Sequence, residues 1–478
     1  MAAIVANEAK QILFQSSLAD VVRSLRNSKK SEGETIQEAL NELKAELSST
    51  VQHVKITAVL KLSYFHMLGY NGEHGAFNVI EVMADPQFGN KRAGYIAAAM
   101  TFNENTPVLP LCTALVKRDL ASQNQYEVGL GLYFLSCVCS PDLARDLVSD
   151  VVGLLSHSRA YVRKKAVLCL YKLFLHFPDA LRLTYPMLRE KIEDGSANTD
   201  SDPGVRGAVV TILCELARRN PQNFLSLVVP FFALLSSVHN NWTLIKVIKV
   251  FGHFSPHEPR LGKKLVDPIT NLITTTHAKS VQYECIFAVA NGMSKVAGLV
   301  KTAVDKMKIF VEDHDQNLKY LGLDAMSRLM RENPKLLTDQ RETLLVCLKD
   351  HDVAIRGKAL QLMSGIVTKK TLVDTVNNMF DNAVPTPSDE DWTNTVIRTI
   401  VETVSVDDYA NVQDFEWYCA VLLDLAQLPI THFEHGALLE REFINICLRV
   451  PAGRFFAVDS LAALLPNSHV VHAAPSKS

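Results

Sequence analysis

The sequence predicts an all-α protein, an α-solenoid of HEAT/armadillo-like helical hairpins, and three observations predict it. A proline-led break recurs at nearly regular intervals. Each break opens an amphipathic segment that a short polar turn joins to a second one. No run of alternating polarity reads as a series of strands.

Taken in order, the region 17–46 reads as two helices ahead of the clearest repeats. The breaks then fall at Pro141, Pro178, Pro221, Pro259 and Pro334. Successive spacings are about 37, 43 and 38 residues, and the last gap of about 75 is two periods. After the breaks run amphipathic segments at 143–156, 181–193, 224–237, 261–275 and 336–349. A further segment at 299–312 fills the slot that lacks its proline. Second helices begin at Tyr161, Gly204, Leu318 and Val353, with apolar residues recurring at three and four. The prolines are expected to end one hairpin. Ala166, Gly207, Gly322 and Gly357 are expected to let neighbouring helices approach closely. The variable period fits HEAT units better than the strict ~34 or ~33 residues of tetratricopeptide or ankyrin arrays.

The expected organisation is a tail at 1–16, repeats over 17–384, a polar loop at 385–391 as the best internal boundary, continuing repeats over 392–468, and a tail at 469–478. The stretch 195–201 reads as a surface insertion. At 478 residues, 48% of them hydrophobic, the chain exceeds one ordinary compact domain. A net charge of −2 excludes a protein that coats nucleic acid through a global positive field. The nine cysteines form no CxxC pair and mostly sit in apolar helical stretches, so they read as small buried hydrophobes in a reducing compartment. The start lacks the apolar core of a signal peptide, and the longest uncharged stretch, 223–238, is interrupted by Pro230. These features predict a soluble, intracellular chain.

The sequence contains no catalytic constellation of a known kind. Gly262-Lys263-Lys264 lacks the glycine and hydroxyl residue of a phosphate loop, and Gly129-x-Gly131 lies in a helical segment without a preceding strand. Pro256 falls between His253 and His257 and breaks their helical spacing; His432 and His435 flank Glu434 more weakly still. Cys137 and Cys139 point to different sides of a helix. No enzyme, cofactor or metal is predicted. Solenoids work by presenting long surfaces to partners, which draws attention to basic clusters: Arg23, Arg26, Lys29 and Lys30; Lys91-Arg92; Arg163-Lys164-Lys165; Arg218-Arg219; Lys263-Lys264. Each could be an ordinary solvated face or a contact for anionic lipid. No aromatic residues interleave with them as a platform for nucleic acid would require.

Several segments resemble the large subunits of vesicle-coat adaptor complexes, the adaptin family. SLADVVRSLRN (17–27), MLGY (67–70), AFNVIEVMAD (76–85), KRAGYIAAA (91–99) and the block 140–182 carry the likeness. CELARRNPQNFLSL (214–227), NNWTLIKVIKVFG (240–252), EPRLGKKLVDPITNLI (258–273) and FEWYCAVLLDLAQL (415–428) are similar to the delta class of that family. The resemblance spans about 17–470. It implies a heterotetramer with beta-, mu- and sigma-type subunits. It further implies recruitment by an Arf-class GTPase and peripheral association with Golgi or endosomal membranes. The implied task is sorting of cargo tails bearing acidic dileucine signals toward lysosomes or vacuoles. In the alpha-type relative an arginine at this N-terminal position contacts the dileucine signal; here the matching residue is Arg26. The lysine run that forms a phosphoinositide site in that relative is reduced to Lys55 and Lys61, the residues the resemblance leaves for membrane or lipid contact. The family's hinge and appendage are expected to be absent. A HEAT scaffold or transport receptor outside the adaptors is the rival reading; its rows of aromatic or acidic residues on one face were not found repeated.

Overall fold

The computed structural model describes residues 15–27, 32–193, 200, 202–332, 340–383, 390–426 and 433–464. Residues 1–14, Pro334, the insertion at 195–201 apart from Asp200, loop residues 385–389 and the tail 469–478 lie outside them. The described residues are helical, with no strand among them. By packing they form two compact units, one to Ala233 and one from Leu234.

The first unit contains α1 (Leu18–Asn27), α2 (Glu32–Leu47), α3 (Gln52–Met67), α4 (Ala76–Met83), α5 (Phe88–Thr101), α6 (Leu109–Leu120), α7 (Gln125–Cys137), α8 (Pro141–Gly153), α9 (Ala160–His176), α10 (Asp179–Glu190) and α11 (Pro203–Arg219). The division between units falls within α12 (Val228–Ser237). The second unit continues with α13 (Asn241–Phe254), α14 (Pro259–Lys264), α15 (Val266–Thr275), α16 (Lys279–Gly292), α17 (Ala297–Val311), α18 (Gln316–Glu332) and α19 (Arg341–Cys347). It ends with α20 (Val353–Gly365), α21 (Leu372–Ala383), α22 (Glu390–Tyr409), α23 (Phe415–Ala426), α24 (Phe433–Arg449) and α25 (Arg454–Leu464).

Within each unit the second helix of one hairpin packs on the second helix of the next. The series is α5, α7, α9, α11 in the first unit and α13, α16, α18, α20, α22 in the second. Such nearest-neighbour stacking is what defines a solenoid. Packing of α22 on α20 and α21 continues across the loop at 385–391.

Local chemistry sets the helix starts. Asn124, Ser140, Asp202, Asn240 and Asp352 each accept a hydrogen bond from a first-turn backbone N–H. Pro141, Pro203 and Pro259 occupy the first helical turn. The prolines therefore begin hairpins where they were expected to end them, because a missing N–H costs nothing where no intrahelical partner exists.

Proline also explains two broken expectations. The segment 261–275 divides into α14 and α15, and Pro268 cannot donate to the carbonyl of Lys264. The segment 224–237 begins as a 3-10 stretch, Pro221–Leu227, before α12, and Pro230 likewise removes the bond to Ser226.

Close helix approach is real at Gly322, where an added Cβ would lie 2.8 Å from Val311 Cγ2, but a Cβ on Gly357 would meet nothing within 4 Å. The tightest approach was not anticipated. A Cβ on Gly252 would lie 3.0 Å from Ala288 Cα, and one on Gly292 would overlap the Gly252 carbonyl, so α13 and α16 touch backbone to backbone.

Candidate functional site

The N-terminal helix is built around a reciprocal cap. Ser17 Oγ accepts from Asp20 N at 3.2 Å while the Asp20 carboxylate accepts from Ser17 N at 3.1 Å and Ser17 Oγ at 2.7 Å. Those bonds hold the Asp20 carboxyl below its usual range. Val21 is buried, and α1 packs on α2 and α3. The segment before α1 is pinned as well: Gln15 donates to the Val54 carbonyl at 2.9 Å and Ser16 Oγ accepts from Lys61 Nζ at 3.2 Å. Arg26 thus stands in the last turn of a fixed helix, exposed, favourably placed against the helix dipole, and without an ion-pair partner among the described residues. A guanidinium so presented can donate two parallel hydrogen bonds to a carboxylate.

Lys61 is elsewhere employed. It is 2% exposed, and its ammonium lies 2.7 and 2.8 Å from the two Glu46 oxygens. The lipid contact expected of it has no exposed ammonium to act through, because α2 supplies the counter-charge inside the fold. Lys55 pairs with Glu81 at 2.7 Å across α3 and α4.

Two of the basic clusters turn inward in part. Lys91 is buried at 3.0 Å from Asp119 and 3.4 Å from Glu127, and Asp119 also accepts from Tyr95 Oη at 2.8 Å. Burial first, and the Asp119 charge second, push the Tyr95 hydroxyl far above the usual phenol range. Arg163 grips Asp200 through two bonds of 2.7 and 2.9 Å and reaches the carbonyls of His157 and Ser158. Its neighbour Lys165 lies 5.9 Å above the Tyr133 ring, and Arg219 lies 5.6 Å above Tyr171.

The absence of a repeated aromatic row, the ground given against a transport receptor, does not hold: the structure contains one. Phe88, Tyr126 and Tyr161 stand at the starts of α5, α7 and α9, with ring centroids 6.3 and 5.9 Å apart. They are 37%, 55% and 40% exposed. Gly129 makes the row continuous: a Cβ there would come within 2.6 Å of Tyr161 Oη. The available signal was their spacing, about one repeat period each time. Exposed Leu168 and Leu175 extend the apolar surface along α9. A partly exposed apolar strip bordered by basic groups is suited to a folded protein partner. Among the described residues no group of three or more His, Cys, Asp or Glu could hold a metal ion, and no helix is long and apolar enough to cross a membrane.

The fold is that of a helical-repeat protein that works by presenting surface to partners. The model of the adaptin N-terminal region matches residues 30–476, and the chain belongs to the adaptin family. It is 43% identical over 473 residues to the AP-3 complex subunit delta-1 of Bos taurus, covering 98% of this chain and 38% of that protein. The AP-3 complex subunit delta of Dictyostelium discoideum is 40% identical, with 95% and 39% covered. That of Schizosaccharomyces pombe is 38% identical, with 96% and 56% covered. The chain therefore spans from 38% to 56% of the length of these relatives. In structure it is similar to a chain of the full-length AP-3 complex in an intermediate open conformation, with TM-score 0.55, 31% identity, and 88% and 77% covered. A likeness to importin beta, TM-score 0.50 at 11% identity over 87% and 60% of the two chains, reflects the fold alone.

Proposed function

We propose that this chain is a non-catalytic large subunit of a vesicle-coat adaptor complex, working by shape and surface chemistry. In this reading it assembles with beta-, mu- and sigma-type subunits, and an Arf-class GTPase recruits the assembly to Golgi or endosomal membranes. There it selects cargo tails with acidic dileucine signals for lysosomes or vacuoles. Arg26, together with the sigma subunit, receives the acidic residue of the signal. The aromatic row of α5, α7 and α9 is covered by a small adaptor subunit. The observation that carries the cargo reading is Arg26 itself: an exposed guanidinium, with no ion-pair partner among the described residues, on a helix capped and pinned at its start.

The test is a titration of an acidic dileucine peptide into this chain co-expressed with sigma- and mu-type subunits, wild type against Arg26→Glu. A charge-assisted hydrogen bond contributes about 1.5–3 kcal/mol, so the variant should bind roughly tenfold to a hundredfold more weakly. Unchanged peptide affinity in an intact complex would remove Arg26 from the site and leave the assembly reading in place.

A further inference from the structure

The turn between α20 and α21 reads Thr368-Lys369-Lys370-Thr371 and borders a cavity of about 110 Å³. Its walls are Arg341 from α19, Met363 from α20, Ile366, Thr368 and Thr371 from the turn, and Thr375 from the start of α21. Arg341 Nη2 is buried there with no hydrogen-bond partner among the described residues. A guanidinium donor removed from water and left unmatched is unfavourable, so the position favours an acceptor arriving from outside the chain.

The surroundings specify what kind of acceptor. Met363 and Ile366 offer none. Thr371 Oγ1 is engaged within the turn, accepting from Thr368 N at 3.0 Å and sharing a 2.9 Å hydrogen bond with Thr368 Oγ1. With Thr371 Oγ1 donating to the Thr368 carbonyl at 3.4 Å or to Thr368 Oγ1, one of the two hydroxyl hydrogens is left to donate to an added group. Among the described residues no carboxylate lines the cavity; Glu342 and Asp374, nearby in sequence, are both exposed. The turn leads into α21, a 12-residue helix whose N-terminal dipole end favours negative charge. Lys369 and Lys370 stand exposed beside it. The space is enough for a tetrahedral oxoanion.

We infer that this cavity is a phosphate site, with Arg341 Nη2 as its buried donor, one threonine hydroxyl as a neutral partner and Lys369 and Lys370 as its electrostatic rim. The dianion is either a free phosphate or a phosphomonoester on a lipid. The site lies far along the chain from Arg26, Lys55 and Lys61 and is independent of the cargo reading.

Isothermal titration of the full chain with inorganic phosphate at constant ionic strength tests the inference. Wild type should bind saturably, and Arg341→Gln should bind at least tenfold more weakly while keeping its far-ultraviolet helical signal. The double variant Lys369→Ser with Lys370→Ser leaves every buried residue in place and should weaken binding at least threefold, so a misfolded Arg341→Gln would not shelter the idea. Phosphatidylcholine vesicles carrying phosphatidic acid separate the sources. Vesicle capture that phosphate competes away and Arg341→Gln loses assigns a lipid; phosphate binding without capture assigns a soluble anion. Absence of saturable phosphate binding by wild type, or variants that bind as tightly as wild type, overturns the assignment.

Discussion

The two units share one packing plan and hold it together by different chemistry. In the first, buried charge bridges successive hairpins: Lys61 with Glu46, Lys91 with Asp119 and Glu127, Arg163 with Asp200. In the second, the closest joint is backbone on backbone, where Gly252 and Gly292 bring α13 against α16. Its ion pairs, Lys319–Asp350 and Lys358–Asp324, leave more of the lysines exposed. A buried ion pair holds geometry only while both partners remain charged, whereas a glycine joint is indifferent to pH and intolerant of volume. The first unit has one such joint too, since a Cβ on Gly94 would overlap the Met83 backbone, so it can be broken by charge or by size, and the second chiefly by size.

The largest expected effect is in the first unit. Lys91→Met strands the Asp119 carboxylate, 2% exposed, with Tyr95 and Arg118 as its remaining partners. Removing one member of such a pair costs about 3–5 kcal/mol, which urea denaturation would register as a lowered midpoint. Replacing Asp119 by Leu in the same chain should return part of that loss. In the second unit, Gly292→Ala should cost about 1–3 kcal/mol by overpacking. An unchanged midpoint would mean that α13 and α16 can move apart freely.

Acid should separate the units further. The Arg163 guanidinium holds the Asp200 carboxyl below its ordinary value of 3.8. A depressed carboxyl contributes stability above its unfolded pKa and loses it as pH falls through the folded one. The Arg163 clamp should thus open only below about pH 3.8, and Asp200→Asn should remove that acid-dependent loss from thermal melts. Glu284 in α16 has the opposite sign. Burial raises its carboxyl, against the pull of Lys249 and Lys246, so lowering pH through its folded pKa relieves the second unit. Glu284→Gln should flatten that rise.

The smallest effect concerns backbone strain. Asp407, Asp408 and Tyr409 occupy left-handed conformations at φ 49, 56 and 62°, a rare run for residues other than glycine. Tyr409 is held by a 2.7 Å bond to Glu442 and Asp408 by Arg449 at 2.7 Å. Asp407→Gly should therefore raise stability by about 0.5 kcal/mol, the relief of strain being partly offset by a more flexible unfolded chain.

Much of this was legible in the sequence. Hairpin spacing, the helix pair at the start, and the all-α class follow from periodic apolar positions, which report burial directly. The role of the prolines was not, because a break marks a boundary without saying on which side the helix lies. Lys61 and Lys91 read as surface charges since nothing local announces a buried counter-ion from another helix. Seven cysteines are buried as expected, but Cys137 is exposed on α7 and Cys447 half-buried. The aromatic row was hidden for a related reason. Phe88, Tyr126 and Tyr161 look like unrelated core residues until stacking places them side by side.

The most direct test of the adaptor account is co-purification of this chain with a sigma-type subunit, wild type against Tyr126→Glu with Tyr161→Glu. Both side chains are exposed, so the folded chain should survive the change. The account predicts a stable complex for wild type that the double variant loses at an unchanged helical signal. A folded wild-type chain that never associates with a sigma-type subunit would contradict it.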